Sequence, residues 1–466
     1  MENFENIFIT TTLPYCNGSI HVGAAFEFIL ADAINTHFKL NGHNTFFNIG
    51  LDQNGSKILA KSKELGIPVD DYIRNITIDW KNSCERLGIK YDNFYETHTP
   101  EHSTKVQKSW KYFVENGDVY EKEYLAKYCT GCESFKLDKD LIDGKCNDHP
   151  TTEIQNVSET NFFFNLGKYK DKIYKWLESN PISESDKNEL TKYLDEYDEL
   201  SISRKKSEYT FGIDVPDRED QVIYVWADAL LNYVFACPDW DNSTIIQLCG
   251  KDNLRFQAQI FQAFLSSLGK NNTDKIIVHG TILDKDGRKI SKTLGNVVDP
   301  IDQLEKYGLN AVRYYALAGL NTYSNSSWNE DDLKTLWNSE VVNDWGNLVS
   351  RALHLVDIKC NGVLNRLPEN EFTGLVNHYK DSITHLWNTF KIKEALQKTN
   401  ELVKIANKYI NDTKPWSSIN YEVELSNLVL LLTTVNELYK PVFVDKCDEV
   451  SKAIESGKKQ ILFDRI

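Results

Sequence analysis

Apolar and polar positions follow two rhythms along this chain, and the switches between them divide it. Residues 7–9 form a short apolar run of strand type, followed by a polar loop. Phe26, Ile29, Leu30, Ala33 and Ile34 then recur at i, i+3, i+4, i+7, i+8 spacing, which predicts one apolar helix face. Residues 45–49, after Gly42, read as a second strand, so the chain opens with a βαβ unit. Near 116–213 the pattern breaks into short runs, as expected of an insertion, with a polar helix over 183–198. The α/β rhythm returns with strand-like runs at 222–225, 245–248 and 275–278 and a helix over 255–268, then a helix through 312–320. From about 336 only the helical period remains, in Ile392, Ala395, Leu396, Leu402, Val403, Ala406, Tyr409 and Ile410, with 428–432 in another helix and Pro415 and Pro441 as breaks. The pattern predicts an α/β chain: a Rossmann-type parallel sheet split by an insert and followed by an antiparallel helical bundle. The expected units are 1–115 and 214–275 for the two halves of the sheet domain, 116–213 for the insert, 276–335 for a linking region and 336–466 for the bundle.

Composition narrows the class. A chain of 466 residues exceeds one core, which predicts two to four domains. No run of eighteen apolar residues occurs, which excludes a helical membrane span of ordinary type. The opening MENFENIF is acidic and leads directly into a strand, unlike an export or import leader, so the cytosol is the expected compartment. Nine unevenly spaced cysteines do not suggest a disulfide framework. A net charge of −15 argues against a broad nucleic-acid surface but leaves room for a local one.

Several residues suggest chemistry. The first predicted loop ends in His21-Val22-Gly23 at a helix N-terminus, where free N–H groups and the dipole favour phosphate. His21 can add a hydrogen bond, and Gly23 leaves room for a flat base. Lys289 and Lys292, in KISKT, suit a polyphosphate or a merely solvated loop. Asp52 follows the second strand and Asp252, after Gly250, follows a later one. At strand ends the first suits an amino group and the second ribose hydroxyls, while a helix cap fits either. Leu13 and Tyr15 sit at the mouth of the first loop. Cys129-x-x-Cys132 and Cys146-x-x-His149 have the spacing of a closed, structural zinc site, and the intervening segment with Asp143-Gly144 reads as a hairpin.

The order of IHVG and KISKT resembles the HIGH and KMSKS signatures of class I aminoacyl-tRNA synthetases. TTLPYCNGSIHVG, the YCTGC…CNDH knuckle, LSISR, VIYVWADALLNY, CGKDNLRF, GNLVSR and NKYINDTKPW resemble, in order, segments of the methionyl-tRNA synthetase family. The resemblance implies an ATP-dependent ligase that forms methionyl-adenylate and transfers methionine to tRNA(Met). It implies phosphate contacts from His21, Lys289 and Lys292 with Mg²⁺, and further ATP contacts from Gly23, Gly250 and Asp252. It implies a methionine site of Leu13, Tyr15, Asp52, Trp226, Ala229, Leu230, Tyr233, Gln257 and Ile260. It also implies a CAU-anticodon site of Asn347, Arg351 and Trp416, and structural Zn²⁺ on Cys129, Cys132, Cys146 and His149. A cytoplasmic monomer is the expected form. Departures are Ala24 for a second histidine, Gln53–Asn54 after Asp52, Gln257 for a histidine on the pocket helix, and Phe261–Gln262 for Trp–Pro. A synthetase for another small amino acid, cysteine first, and a non-catalytic tRNA-binding paralogue are the competing readings. Adenylate formation, zinc content and tRNA binding separate them.

Overall fold

The computed structural model describes residues 6–132, 134–136, 141–180, 182–207, 211–290, 295–363, 372–443, 445–458 and 462–466. Its central sheet has five parallel strands: β1 (Asn6–Thr10), β2 (Asn44–Leu51), β3 (Asn93–Glu96), β4 (Thr244–Gly250) and β5 (Lys275–His279). Their order is β5-β4-β1-β2-β3. Ile7 of β1 faces Thr45 on one side and Thr244 on the other. Ile7, Phe8 and Ile9 are all buried, so the run is continuously apolar, as befits a parallel strand covered on both faces. The chain builds β2 and β3 on one side of β1 and returns, after the insert, to build β4 and β5 on the other. That reversal opens a crevice beyond the carboxyl ends of β1 and β4.

Helix α1 (Val22–Leu40) joins β1 to β2 and is buried over most of its surface. Its acidic residues therefore need partners. Asp32 accepts from Arg313 at 2.6 Å, and Arg313 also donates to the carbonyls of Leu87 and Val442. One guanidinium thus ties the sheet domain to the C-terminal helices Asn347–Cys360, Thr373–Asn388, Ile392–Thr413, Tyr421–Tyr439 and Lys446–Ser456. One apolar cluster runs from Ile7 through Trp345 to Phe463.

In the insert, Val119–Cys129 and Ile154–Asn165 pair antiparallel, flanked by Ser134–Lys136 and Glu199–Ser201. Leu141–Ile142 and Lys145–Cys146 form the expected hairpin. Its turn has φ of 52° at Asp143 and 77° at Gly144, the positive values that suit the twist of a two-residue hairpin.

Two expectations need correction. Residues 222–225 do not join the parallel sheet: Gln221–Ile223 pairs antiparallel with Ser203–Lys205, and a short helix, Val225–Ala229, follows. A short apolar run does not specify its partner. The helix expected over 255–268 is divided: Phe256–Ile260 is π-helical and Phe261–Ser267 is α-helical. The Gln262 side chain donates to the carbonyl of Gln257 at 2.8 Å, inserting into the backbone ladder at that junction. No helix among the described residues is long and apolar enough to cross a membrane.

Candidate nucleotide and amino-acid site

The start of α1 differs from the sequence expectation. His21 caps it with extended backbone (φ −116°, ψ 164°), and its Nδ1 accepts from the N–H groups of Gly23 at 3.1 Å and Ala24 at 3.3 Å. The N–H of Val22 goes to the carbonyl of Val298, and that of Ala25 to the carbonyl of His21. The first four helical donors are therefore occupied, not free for phosphate. What the terminus offers an anion is its dipole and the other imidazole nitrogen: an accepting Nδ1 places the ring proton on Nε2. The space at Gly23 is also taken by this imidazole, since a Cβ there would lie 3.2 Å from the ring.

One turn further along α1, Glu27 reaches into the crevice. It accepts from the Thr12 N–H at 2.6 Å and the Thr12 hydroxyl at 2.8 Å, and pairs with His279 Nε2 at 2.8 Å. His279 ends β5, and its ring lies beside Gly250 at the end of β4. A Cβ on Gly250 would come within 2.7 Å of an Asp252 carboxylate oxygen and 3.4 Å of the His279 ring. Asp252 sits exposed in the helical turn Lys251–Asn253, where its side chain makes no cap bond. The cap reading fails for Asp52 as well, because Gly55 caps the next helix.

Asp52 is buried at the end of β2 and makes a bridge with Tyr15. The N–H of Cys16 donates to the Asp52 carbonyl, and the N–H of Asp52 to the carbonyl of Pro14. These bonds fold the 11–15 stretch, with half-buried Leu13, across the strand ends. The Tyr15 hydroxyl accepts from Trp226 Nε1 at 3.2 Å, and the Trp226 ring packs edge-on against Phe256 with centroids 4.1 Å apart. Leu230, Tyr233, Gln257 and Ile260 are buried behind these rings, while Ala229 is half-buried. Burial raises the pKa of Tyr233 above that of an ordinary tyrosine.

Beneath this pocket lies a polar group that sequence reasoning missed. Asn54 donates to Asp228 at 3.2 Å, and the far oxygen of Asp228 lies 3.9 Å from His102, whose other nitrogen meets the Tyr95 hydroxyl at 3.0 Å. Burial raises the pKa of Asp228, while burial and then the charge of Lys105 lower that of His102 to about 3. The available signal was an acidic residue inside the apolar stretch VWADALL. Glu27, between Phe26 and Phe28 on α1, was a similar one.

Lys289 is exposed and bridges to Leu283 across a turn closed by Asp284. The Asp284 side chain accepts from the N–H groups of Asp286 and Arg288, from the Arg288 guanidinium and from Asn296. Led by the Asn296 bond, these contacts hold its carboxyl well below the ordinary range. Asn296 also donates to the carbonyl of Lys289, fixing the base of the loop. Lys292 lies outside the described residues. The exit of the loop returns to α1 through the Val298 carbonyl.

Two further groups lie apart from the crevice. Ligand atoms of Cys129, Cys132, Cys146 and His149 all lie within 4.8 Å of one another, a spacing that fits a tetrahedral zinc site. Gly131 makes that approach possible, because a Cβ there would lie 2.5 Å from the His149 ring. In the bundle, Asn347 lines a cavity of about 380 Å³ with Asn343, Ser350 and Phe463. Arg351 donates to Asn411 at 2.7 Å, five residues before Trp416, which is 45% exposed.

The family model described as "tRNA synthetases class I (M)" matches residues 7–159 and 137–353. A methionine–tRNA ligase of Fusobacterium nucleatum is 32% identical over 461 residues, covering 94% of this chain and 72% of that protein. One from Thermotoga maritima is 32% identical, covering 97% and 76%. The solved Mycobacterium tuberculosis methionyl-tRNA synthetase in complex with methionyl-adenylate superposes with a TM-score of 0.88 at 28% identity, covering 96% of this chain and 93% of that one.

Proposed function

The chain belongs to the methionyl class I tRNA synthetases, and from that premise we propose that it is a methionine–tRNA ligase. The carrying observation is the convergence of the strand ends of β1, β2 and β4, the N-terminus of α1 and an aromatic-lined pocket at the point where the strand order reverses. In the first step a methionine carboxylate oxygen attacks the α-phosphorus of ATP and pyrophosphate leaves. In the second a ribose hydroxyl of the terminal adenosine of tRNA(Met) attacks the carbonyl and AMP leaves.

Positioning and charge stabilisation carry the first step. His21 Nε2–H, Lys289 and Lys292 meet the phosphates, and Mg²⁺ bound with the nucleotide supplies charge neutralisation. Asp252 accepts from the ribose, Gly23 leaves room for the His21 imidazole beside the nucleotide, and Gly250 keeps the adenosine side of the crevice open. Asp52 and the backbone of Leu13 take the amino group. Tyr15, Trp226, Ala229, Leu230, Tyr233, Gln257 and Ile260 enclose the side chain. Asn347, Arg351 and Trp416 read the CAU anticodon by edge contacts and stacking. Four protein ligands leave Zn²⁺ no open position, so its role on the knuckle is structural. Units 1–115 and 214–275 then form the catalytic domain, 116–213 the connective insert, 276–335 the stem-contact region and 336–466 the anticodon domain of a cytoplasmic monomer. ATP–pyrophosphate exchange across a panel of amino acids tests the assignment: methionine-dependent exchange is expected. Exchange with another amino acid instead, or none from folded protein, rejects it.

A further inference from the structure

The three sulfurs of the knuckle differ in what covers them. Cys129 and Cys146 are buried, and each takes backbone N–H groups: Cys129 from Cys132 at 3.5 Å, Cys146 from Asp148 and His149. Cys132 is only half-buried, so of the three it is the one that water and small reagents reach. Its Sγ lies 3.4 Å from that of Cys146 and 3.1 Å from His149 Nδ1. It also takes a hydrogen bond from a side chain, the Lys136 ammonium. Asp148 helps hold that ammonium in place. One of its carboxylate oxygens lies 3.8 Å from Lys136 Nζ and 4.0 Å from Cys132 Sγ. The Lys136 side chain is 16% exposed and that of Asp148 69%, so water screens the carboxylate far more than the ammonium.

The strand pairing that brings Lys136 here is unfavourable by itself. Lys136 stands directly across from Lys127, and like charges so placed repel. Cys129, two residues beyond Lys127, lies on the same face of its strand. An anionic group on that face offsets the repulsion. Three thiolates, a neutral imidazole and Zn²⁺ together carry one net negative charge, which supplies it. We propose that Lys136 is the charge partner of the Cys132 thiolate, neutralising the zinc-loaded knuckle and shielding its one reachable sulfur from electrophiles. This rests on zinc being held there, as proposed above. A thiolate is a nucleophile, and a hydrogen bond from a cation draws its electron pair away from the attacking direction. An unshielded Cys132 attacks one oxygen of hydrogen peroxide, the O–O bond breaks and hydroxide leaves. The peroxide is reduced, and the sulfur becomes a sulfenic acid that no longer holds the metal.

The test follows zinc release from the full-length protein under hydrogen peroxide, read by the colour of a zinc chelator in solution. Lys136→Gln removes the charge and keeps a polar side chain. It releases zinc about tenfold faster, the low end of what a partner of a metal ligand is worth. Peptide mass spectrometry finds the first oxidation at Cys132. Lys136→Arg restores the charge and releases zinc at nearly the unmodified rate. Equal rates in the unmodified and Lys136→Gln proteins overturn the proposal. So does a Lys136→Arg protein as fast as Lys136→Gln, or a first oxidation at Cys129 or Cys146. Should Lys136→Gln not fold, brief acetylation of the folded unmodified protein removes the same charge. One peptide then reports both Cys132 and Lys136: oxidation at Cys132 is more frequent on peptides acetylated at Lys136, and equal frequencies overturn the proposal. If the purified protein carries no zinc, the zinc reading itself has failed. If zinc is present and its release ignores the Lys136 charge, only the role of Lys136 has.

Discussion

Replacing Glu27 with glutamine should destabilise the protein by an amount that grows as pH falls. His279 Nε2 lies 2.8 Å from the Glu27 carboxylate, and Nδ1 lies 2.9 Å from the carbonyl of Gly280. Both partners accept, so both ring nitrogens donate and the ring holds two protons. Burial alone would lower the His279 pKa. The hydrogen bond and charge of Glu27, with the Gly280 carbonyl and the charge of Asp252, outweigh it and the pKa is raised. The stabilisation from this proton is thus full below the unfolded value of about 6.5 and fades as pH rises through the folded one. Glu27→Gln keeps the shape and the acceptor for Thr12 but removes the charge. With the largest remaining influence being burial, the folded pKa drops below the unfolded one, and stability is now lost as pH falls through about 6.5. The gap between the two proteins therefore widens toward low pH, by at most ~1.4 kcal/mol per unit. At pH 8 it is about 1–2 kcal/mol, a lost charged hydrogen bond. Near pH 5.5 it reaches about 3–5 kcal/mol, the cost of an unpaired buried charge. Urea unfolding followed by tryptophan fluorescence at several pH values measures it. A gap that is constant, or that narrows as pH falls, refutes the two-proton histidine.

Three other outcomes are expected. Purified protein should carry about one zinc per chain by elemental analysis, and Cys146→Ser should lose it and expose the insert to protease. Gly250→Ala, whose Cβ would press within 2.7 Å of Asp252, should raise KM for ATP several-fold and leave KM for methionine near its original value. Trp416→Ala should weaken tRNA binding by about 1–3 kcal/mol, the worth of one stacked base, without altering pyrophosphate exchange.

The sheet and bundle were legible because periodicity reports burial, and burial is what β1, α1 and the C-terminal helices share. The cluster of Cys129, Cys132, Cys146 and His149 was legible because its spacing is local. Partner choice was not: the strand within the apolar run, Gln221–Ile223, pairs with Ser203–Lys205, which no periodicity encodes. The occupied N–H groups of α1 were hidden for a related reason, since His21 folds back on its own helix to take those of Gly23 and Ala24 and the distant Val298 carbonyl takes that of Val22. The buried side chains of Gln262, Thr273 and Gln247, which hydrogen-bond in series, read in sequence as isolated polar interruptions, and only the folded chain brings them together.

The split sheet has a consequence for synthesis on the ribosome. β1, β2 and β3 are complete once Glu96 has emerged, yet β4, the other neighbour of β1, begins only at Thr244. At ~5–20 residues per second, the intervening stretch takes about seven to thirty seconds to make. Throughout that interval the apolar run Ile7-Phe8-Ile9 has one unpaired edge, the kind of surface that recruits strands from other chains. The nascent chain therefore needs its longest protection from chaperones while the insert is being translated, and slowing translation across the insert should cost soluble yield more than slowing it across the bundle.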